Sequence, residues 1–301
     1  MKILKIFIGF LIFFIFFYII YKENIFFIFL IKVKSANYLY LFFAFSLYIF
    51  VFVLRSLRIK ILEKDKDFLS LFSIIGINTF LNNILPARLG ELSLPILLKK
   101  IYNFGYLKGS LYLILLRIFD FLSLFFIFTL SFLYFFYKRK LSLSFIYKHS
   151  FILGLVLIFL SIFLLFSRYF MKKYKNKFED IENILFNLNR KTLIFLFTIS
   201  LLIWSFKFFT FFLIFRALKY NFSYLETIFI VSFAEITTIL PIHSLGGFGS
   251  FELGIIQGAY LLNISLKKGL EIGFSLHIFL LIFSFLVFLV SLYIYTKKSK
   301  I

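Results

Sequence analysis

Two long apolar stretches of this chain are interrupted by residues that hydrocarbon does not tolerate unless they find partners. The first stretch, 68–98, is broken between Asn82 and Glu91, and the second, 224–265, is broken between Pro241 and Ser250. Proline and glycine free backbone polar groups, which survive at membrane depth only when buried in protein or beside a wet cavity. Each stretch therefore predicts a broken or re-entrant helical hairpin.

The two interruptions also share short sequence words. Both contain Ile-Leu-Pro, and both continue to a glycine and a Glu-Leu pair, at residues 84–92 and 239–253. Paired interruptions in two halves of a chain are typical of transporters built from inverted repeats, in which the substrate site lies at the breaks. The pattern thus predicts an inverted repeat and a substrate site formed by both breaks.

The rest of the chain is too apolar for a soluble globule. Hydrophobic residues make up 62% of the sequence, with a mean hydropathy of +1.03. Six further segments approach the roughly 20 apolar residues of a membrane span: 3–21, 36–54, 109–137, 150–167, 192–215 and 270–295. We predict an all-α, polytopic integral membrane protein with about 8 transmembrane segments, including the two hairpins, and a single domain over residues 1–301.

Positive charge predicts the orientation of this protein. The net charge is +21, and the basic residues lie between apolar spans rather than in one patch, which argues against nucleic-acid binding. With the N-terminus inside, inner segments hold 20 Lys and Arg residues against 11 in outer segments. We therefore predict that both termini and residues 168–191 lie in the cytoplasm.

Ionisable residues inside apolar segments are costly when unpaired and so indicate function. Arg88 and Glu91 are three residues apart, as are Arg117 and Asp120, so each couple is predicted to form an ion pair. An arginine beside the helix N-terminus after the first break would suit a lipid phosphate; a purely structural pair is the alternative. The remaining members of this class are Glu235, Glu252 and Lys207, of which Lys207 is expected to snorkel to an interface.

Three glycines lie in the second break, at Gly246, Gly247 and Gly249. Backbone N–H groups of such a loop can hold an anion, and Ser250 is expected to cap the following helix. Gly254 and Gly258 continue at four-residue spacing, which predicts close helix packing that admits alanine but not leucine. The sequence contains no cysteine, no zinc-binding motif and no recognisable pair of catalytic nucleophile and base. We therefore predict that the protein binds no metal or cofactor and is not an enzyme.

Three motifs in this order resemble the lysylphosphatidylglycerol synthase transmembrane-region family, the flippase-like membrane domain of the multiple peptide resistance factor. They are Asn-Asn-Ile-Leu-Pro-Ala-Arg-Leu-Gly-Glu at residues 82–91, Arg117-x-x-Asp120, and Leu-Pro-x4-Gly-Gly-x-Gly-x-x-Glu at residues 240–252. The acidic residue that precedes the arginine in the family is Leu116 here. We therefore expect a stand-alone member of this family, without the soluble synthase domain.

The resemblance implies movement of an anionic lipid, such as an aminoacylated phosphatidylglycerol, between leaflets. Membrane lipids, and a separately encoded synthase, are the partners it implies. A membrane-embedded lipid or glycosyl transferase, or a membrane subunit of a lipid-modifying enzyme, is the alternative. The motif residues expected to bind substrate are Asn82, Asn83, Pro86, Arg88, Gly90, Glu91, Arg117, Asp120, Pro241, Gly246, Gly247, Gly249 and Glu252. Among them, Glu91 and Glu252 are expected to balance a cationic group or to carry a proton.

Overall fold

The computed structural model of the protein describes residues 2–139, 189–238 and 244–298. All regular elements in these ranges are helical, which confirms the predicted all-α class. The α-helices, in chain order, are α1 (Lys2–Lys22), α2 (Ile25–Lys34), α3 (Tyr38–Leu62), α4 (Phe68–Ile84), α5 (Ser93–Tyr102), α6 (Tyr106–Arg139), α7 (Arg190–Ala217), α8 (Tyr224–Thr237), α9 (Ser250–Leu261) and α10 (Leu266–Lys298). Two 3-10 helices cover Pro86–Leu92 and Leu245–Gly247.

Within the described ranges, four helices are long and apolar enough to cross a membrane: α3, α6, α7 and α10. A fifth span results if α1 and α2, which meet at a 68° bend, cross together. These helices coincide with five of the six uninterrupted spans predicted from the sequence, and they confirm a polytopic membrane protein. The sixth predicted span, 150–167, and the segment 168–188 lie outside the described residues.

Both interrupted stretches form pairs of shorter helices. The first consists of α4, the 3-10 helix Pro86–Leu92 (hereafter the Pro86 segment) and α5, and the second consists of α8 and α9 with residues 244–249 (the glycine segment) before α9. The two segments contact each other, and α4 also contacts the glycine segment. The two breaks therefore meet inside the helix bundle, as the sequence predicted; Pro241 lies outside the described residues.

Short polar side chains begin several of the helices. The Asn37 side chain accepts a hydrogen bond from the Leu39 amide at the start of α3, and Asp67 accepts one from the Ser70 amide at the start of α4. These bonds satisfy amides that have no partner within the helix. Helix α9 begins differently from the prediction: Gly249 occupies the cap position, and its N–H donates to the Glu252 carboxylate at 2.7 Å.

Helix α9 packs directly on α8 through its glycines. A Cβ added at Gly254 would lie 2.4 Å from the Cα of Ala234, and one added at Gly258 would lie 2.7 Å from the Ile230 carbonyl oxygen. The predicted close packing is therefore present, but the predicted tolerance of alanine is wrong. Even a methyl group would meet backbone atoms of α8, which cannot move aside as a side chain can.

Contacts at the helix ends define two ends of the bundle. At one, the Lys298 ammonium lies 2.5 Å from an Asp67 oxygen, so the end of α10 meets the turn between α3 and α4. At the other, the Asn37 amide donates to the carbonyl of Ala217 at 3.0 Å, which joins the start of α3 to the end of α7. The long helices thus run between an end that holds the chain's C-terminus and an opposite end.

Candidate functional site

A polar cavity of about 160 Å³ lies inside the bundle. Its walls come from every helix between α3 and α10, and from the Pro86 and glycine segments. The charged side chains that line it are Arg55, Arg58, Arg88, Arg117, Asp120, Lys207 and Glu235. This concentration of charge within apolar helices makes the cavity the candidate functional site.

A buried ion pair joins α3 to α6. Arg58 and Asp120 form a two-pronged pair, with N–O distances of 2.5 and 3.2 Å. The Arg58 guanidinium also donates to the Ser200 hydroxyl of α7 at 2.7 Å. The Arg58 side chain is only 4% exposed, so the pair is effectively withdrawn from solvent. The predicted pairing of Asp120 with Arg117 is therefore wrong, because Asp120 faces α3.

Glu91 in the Pro86 segment holds two arginines. Its Oε1 atom lies 2.9 Å from Arg88 Nη1 and 2.9 Å from Arg117 Nη2. The predicted pair of Arg88 and Glu91 is confirmed, and Arg117 joins it from α6 instead of bonding within its own helix. The Arg117 side chain is 40% exposed, against 16% for Arg88. Arg117 thus lies at the opening of the cavity, while Arg88 lies deeper.

The backbone of the Pro86 segment explains how it presents Arg88. Pro86 begins the 3-10 helix, and Arg88 adopts a φ of 56°, a left-handed conformation that is costly for a residue with a Cβ. Gly90 lies so close to α4 that an added Cβ would be 2.3 Å from the Asn82 amide. The Asn78 side chain then fixes this approach by donating to the Gly90 carbonyl at 3.1 Å.

Asn82 and Asn83, two of the residues expected to bind substrate, line the cavity from α4. Asn78 and Thr79, one helical turn earlier, also line it and were not predicted. The α4 wall is therefore a polar stripe over two turns, at spacings of three and four residues that place side chains on one face of a helix.

A third ion pair closes the cavity between α7 and α8. Lys207 Nζ lies 2.7 Å from Glu235 Oε1, and the two side chains are 15% and 7% exposed. The Lys207 ammonium also lies 4.5 Å from the centre of the Trp204 ring. The expectation that Lys207 snorkels to an interface is therefore wrong: a buried carboxylate partner holds it inside the bundle.

The glycine segment supplies backbone rather than charge. Gly246, Gly247 and Gly249 have φ values of 65°, 74° and 88°, conformations that side chains disfavour. Gly246 and Gly247 line the cavity. The Gly249 amide is already used by Glu252, whose other oxygen lies 2.7 Å from His277 Nδ1. Glu252 is completely buried, and only its partner His277 reaches the cavity.

Arg55 differs from the other basic residues of the cavity, because within the described residues no carboxylate bonds it. The nearest polar contact of its guanidinium is the Thr79 hydroxyl at 3.4 Å. Its Nε atom is buried without a hydrogen-bond partner in the described structure, and so are the Nε atoms of Arg58 and Arg88. Arg55 is therefore a cation held in the cavity wall with unused hydrogen-bonding capacity.

The sequence did not predict Arg55 and Arg58 as site residues, because the predicted span 36–54 ended just before them and both were counted among the inner, cytoplasmic residues. The structure extends α3 to Leu62, so both face the cavity. Their three-residue spacing, which puts both on one helix face, was the available signal. His277, which was not among the expected site residues, lies opposite Glu252, which is 25 residues away in sequence.

A comparison with known protein families covers nearly the whole chain. The family model described as "Lysylphosphatidylglycerol synthase TM region" matches residues 3–292. That range contains both interrupted hairpins and every charged residue of the cavity. Curated proteins and solved structures give no match. The match confirms the resemblance drawn from the three motifs, and the chain belongs to the lysylphosphatidylglycerol synthase transmembrane-region family.

Proposed function

We propose that this protein moves a lipid with an anionic headgroup between the leaflets of a membrane, and that the polar cavity receives the headgroup. The observation that carries this proposal is the cluster of five basic side chains around one cavity inside an apolar bundle. The two interrupted hairpins meet at the same place, which is where transporters of repeated architecture bind substrate.

Lipid translocation needs such a site for a physical reason. A charged headgroup loses its hydration when it enters hydrocarbon, and an isolated charge there costs many kcal/mol. Arginine side chains and asparagine amides can replace part of the lost hydration. The cavity of about 160 Å³ has room for roughly five waters at about 30 Å³ each, and this suits a headgroup rather than whole acyl chains.

The expected site residues divide into two groups on geometric grounds. Those that line the cavity and would contact a headgroup are Asn82, Asn83, Arg88, Arg117, Gly246 and Gly247. Asp120 also lines the cavity, but its carboxylate is bonded to Arg58, so we assign it to positioning. Pro86, Gly90, Gly249, Glu91 and Glu252 shape or hold this wall instead. Both Glu91 and Glu252 already accept hydrogen bonds from protein groups, so we assign them to positioning rather than to binding a substrate cation.

We also propose the bacterial inner membrane and a cytoplasmic position for both termini. Removing Arg55 and Arg58 from the inner count leaves 18 basic residues against 11, which still favours this orientation. Since the chain has no cysteine, single cysteines report its topology cleanly. Asp65→Cys, at the end near Lys298, should be labelled only after the inner side is opened, whereas Asn221→Cys, at the opposite end, should label in intact cells. The reverse result contradicts the orientation.

The decisive test of function is lipid movement by the purified protein in vesicles. Fluorescent phosphatidylglycerol in the outer leaflet is quenched by a membrane-impermeant reductant, so translocation appears as a loss of the protected fraction. Wild type should equilibrate the leaflets, and Arg55→Gln with Arg88→Gln should not. Lys267→Gln, which removes a basic side chain 57% exposed, is the matched control and should behave as wild type.

The same vesicles separate the alternative functions. Movement that requires a separately encoded synthase would assign the protein to that enzyme as a membrane subunit. Formation of a new lipid from a supplied donor would identify a transferase. No movement by folded wild-type protein, with or without a synthase, would contradict the proposal.

A further inference from the structure

We infer that the cavity selects a phosphate headgroup that carries no ammonium group, and that it therefore discriminates against lysylphosphatidylglycerol. This inference rests on the proposed function and specifies the headgroup chemistry. It depends on three features of the described residues: the partners of the carboxylates, the unused hydrogen-bonding atoms, and the balance of charge.

Each carboxylate at the cavity already has a basic partner. Glu91 accepts from two arginines, Asp120 accepts twice from Arg58, and Glu235 bonds Lys207. An incoming ammonium group could reach one of these carboxylates only by displacing its partner, and that would strand a cation of the protein. A buried cation without its partner is strongly unfavourable.

Residues of the cavity wall also contain buried hydrogen-bonding atoms without a partner in the described structure, and most of these atoms are donors. Three buried donors lack a partner in the described structure, the Nε atoms of Arg55, Arg58 and Arg88, against one buried acceptor, Oδ1 of Asn82. A phosphate offers only acceptors when it is a diester, and it matches arginine well. An ammonium offers only donors. A phosphate therefore complements the wall, whereas an ammonium would compete for a single oxygen.

The charge balance agrees with the donor count. Five basic side chains surround the cavity, and Glu91, Asp120 and Glu235 neutralise three of them. The buried Glu252 and His277 add no net charge when the histidine is protonated, and one negative charge when it is neutral. The described cavity is therefore positive by one or two charges in either state. A phosphodiester or phosphomonoester lipid has the opposite charge and is attracted. Lysylphosphatidylglycerol, with two amines and one phosphate, has a net positive charge like that of the cavity and is repelled.

Binding can be measured without translocation, because the chain has one tryptophan and it lies next to a residue of the cavity. Trp204 is in contact with Lys207, a cavity residue, so its fluorescence should respond to occupation. Purified protein in neutral detergent would be titrated with phosphatidic acid, phosphatidylglycerol, lysylphosphatidylglycerol and inorganic phosphate. We expect the affinity for both anionic lipids to be at least about tenfold higher than for lysylphosphatidylglycerol, because one or two charges of the cavity repel the latter.

Substitution of Arg55 tests whether cavity charge causes the preference. Arg55→Glu lowers the charge by two and should reverse the order of phosphatidylglycerol and lysylphosphatidylglycerol; Arg55→Lys should keep it. Lys267→Glu makes the same charge change at the surface and should leave the order unaltered. If Arg55→Glu does not fold, Arg55→Gln serves instead and should reduce the preference about tenfold.

The outcomes separate this inference from the proposed function. Lysylphosphatidylglycerol binding as tightly as phosphatidylglycerol, or an order that survives Arg55→Glu, overturns the selection while leaving lipid movement standing. Failure of every lipid to bind overturns both. Tight binding of inorganic phosphate with weak binding of both anionic lipids would show a site for free phosphate, and would overturn the inference as well.

Discussion

Arg117 in α6 bonds Glu91 of the Pro86 segment at 2.9 Å rather than Asp120, which lies one helical turn further along its own helix. This contact ties the opening of the cavity to the first break. Glu91 also holds Arg88, so a single carboxylate oxygen positions one arginine at the opening and one in the interior.

Removal of Glu91 and removal of Arg117 should therefore have different effects on stability. Glu91→Gln strands Arg88, whose side chain is 16% exposed, and should cost about 3 kcal/mol. Arg117→Gln leaves Glu91 paired with Arg88 and should cost at most about 1 kcal/mol, since the Arg117 side chain is 40% exposed. Thermal unfolding in detergent measures both. Equal losses would mean that Arg117, not Arg88, is the main partner of Glu91.

The Arg58 and Asp120 pair should behave as a buried unit. Asp120→Ala leaves Arg58 charged, buried and bonded only to Ser200, and should destabilise the protein by about 3–5 kcal/mol. The double variant Arg58→Met with Asp120→Leu removes both charges and should recover most of that loss. A double variant as unstable as Asp120→Ala would show that the pair is needed for packing and not only for charge balance.

The contact of α8 with α9 predicts an unusual sensitivity to a single methyl group. Gly254→Ala should destabilise the protein by about 2 kcal/mol or more, as overpacking does, because the added Cβ would meet the Ala234 backbone. Gly105→Ala is the matched control, since a Cβ there meets no atom within 4 Å. Unfolding midpoints of the two variants should differ clearly. If they coincide, α8 and α9 are free to separate.

Arg88 offers a test that separates conformational strain from charge. Its φ of 56° costs about 1 kcal/mol for a residue with a Cβ and nothing for glycine. Arg88→Gly should therefore be more stable than Arg88→Ala by about 1 kcal/mol, while both lose lipid movement. Translocation by the glycine variant at the wild-type rate would show that the segment's shape matters and the guanidinium does not.

The end of the bundle that holds the C-terminus should respond to acid. The hydrogen bond from Lys298, with the Ser70 amide, lowers the pKa of Asp67 from 3.8 to about 2. A depressed folded-state pKa means that the contact stabilises the protein above about pH 4, and that this small contribution is lost as pH falls from 3.8 towards 2. Carboxyl NMR of labelled aspartate should show the shift, and Lys298→Met should raise the pKa towards 3.8. An unchanged pKa would contradict the contact.

The sequence by itself determined the features that depend on local spacing. Apolar runs of span length fixed the helical membrane class, Pro86 and the three glycines marked both breaks, and the three-residue spacing of Arg88 and Glu91 gave their ion pair. Each of these follows from the chain's own geometry, because neighbouring residues on a helix or turn meet whatever packs around them.

The tertiary structure alone decided which charges meet across helices. Arg58 finds Asp120 at a separation of 62 residues, Lys207 finds Glu235, and Glu252 finds His277. Each partner depends on the rotation and depth of a whole helix, which are set by the packing of many side chains. In a low-dielectric interior several opposite charges attract strongly, so attraction alone does not choose among them. Helix packing determines which of them pair, and it leaves Arg55 without a carboxylate partner among the described residues.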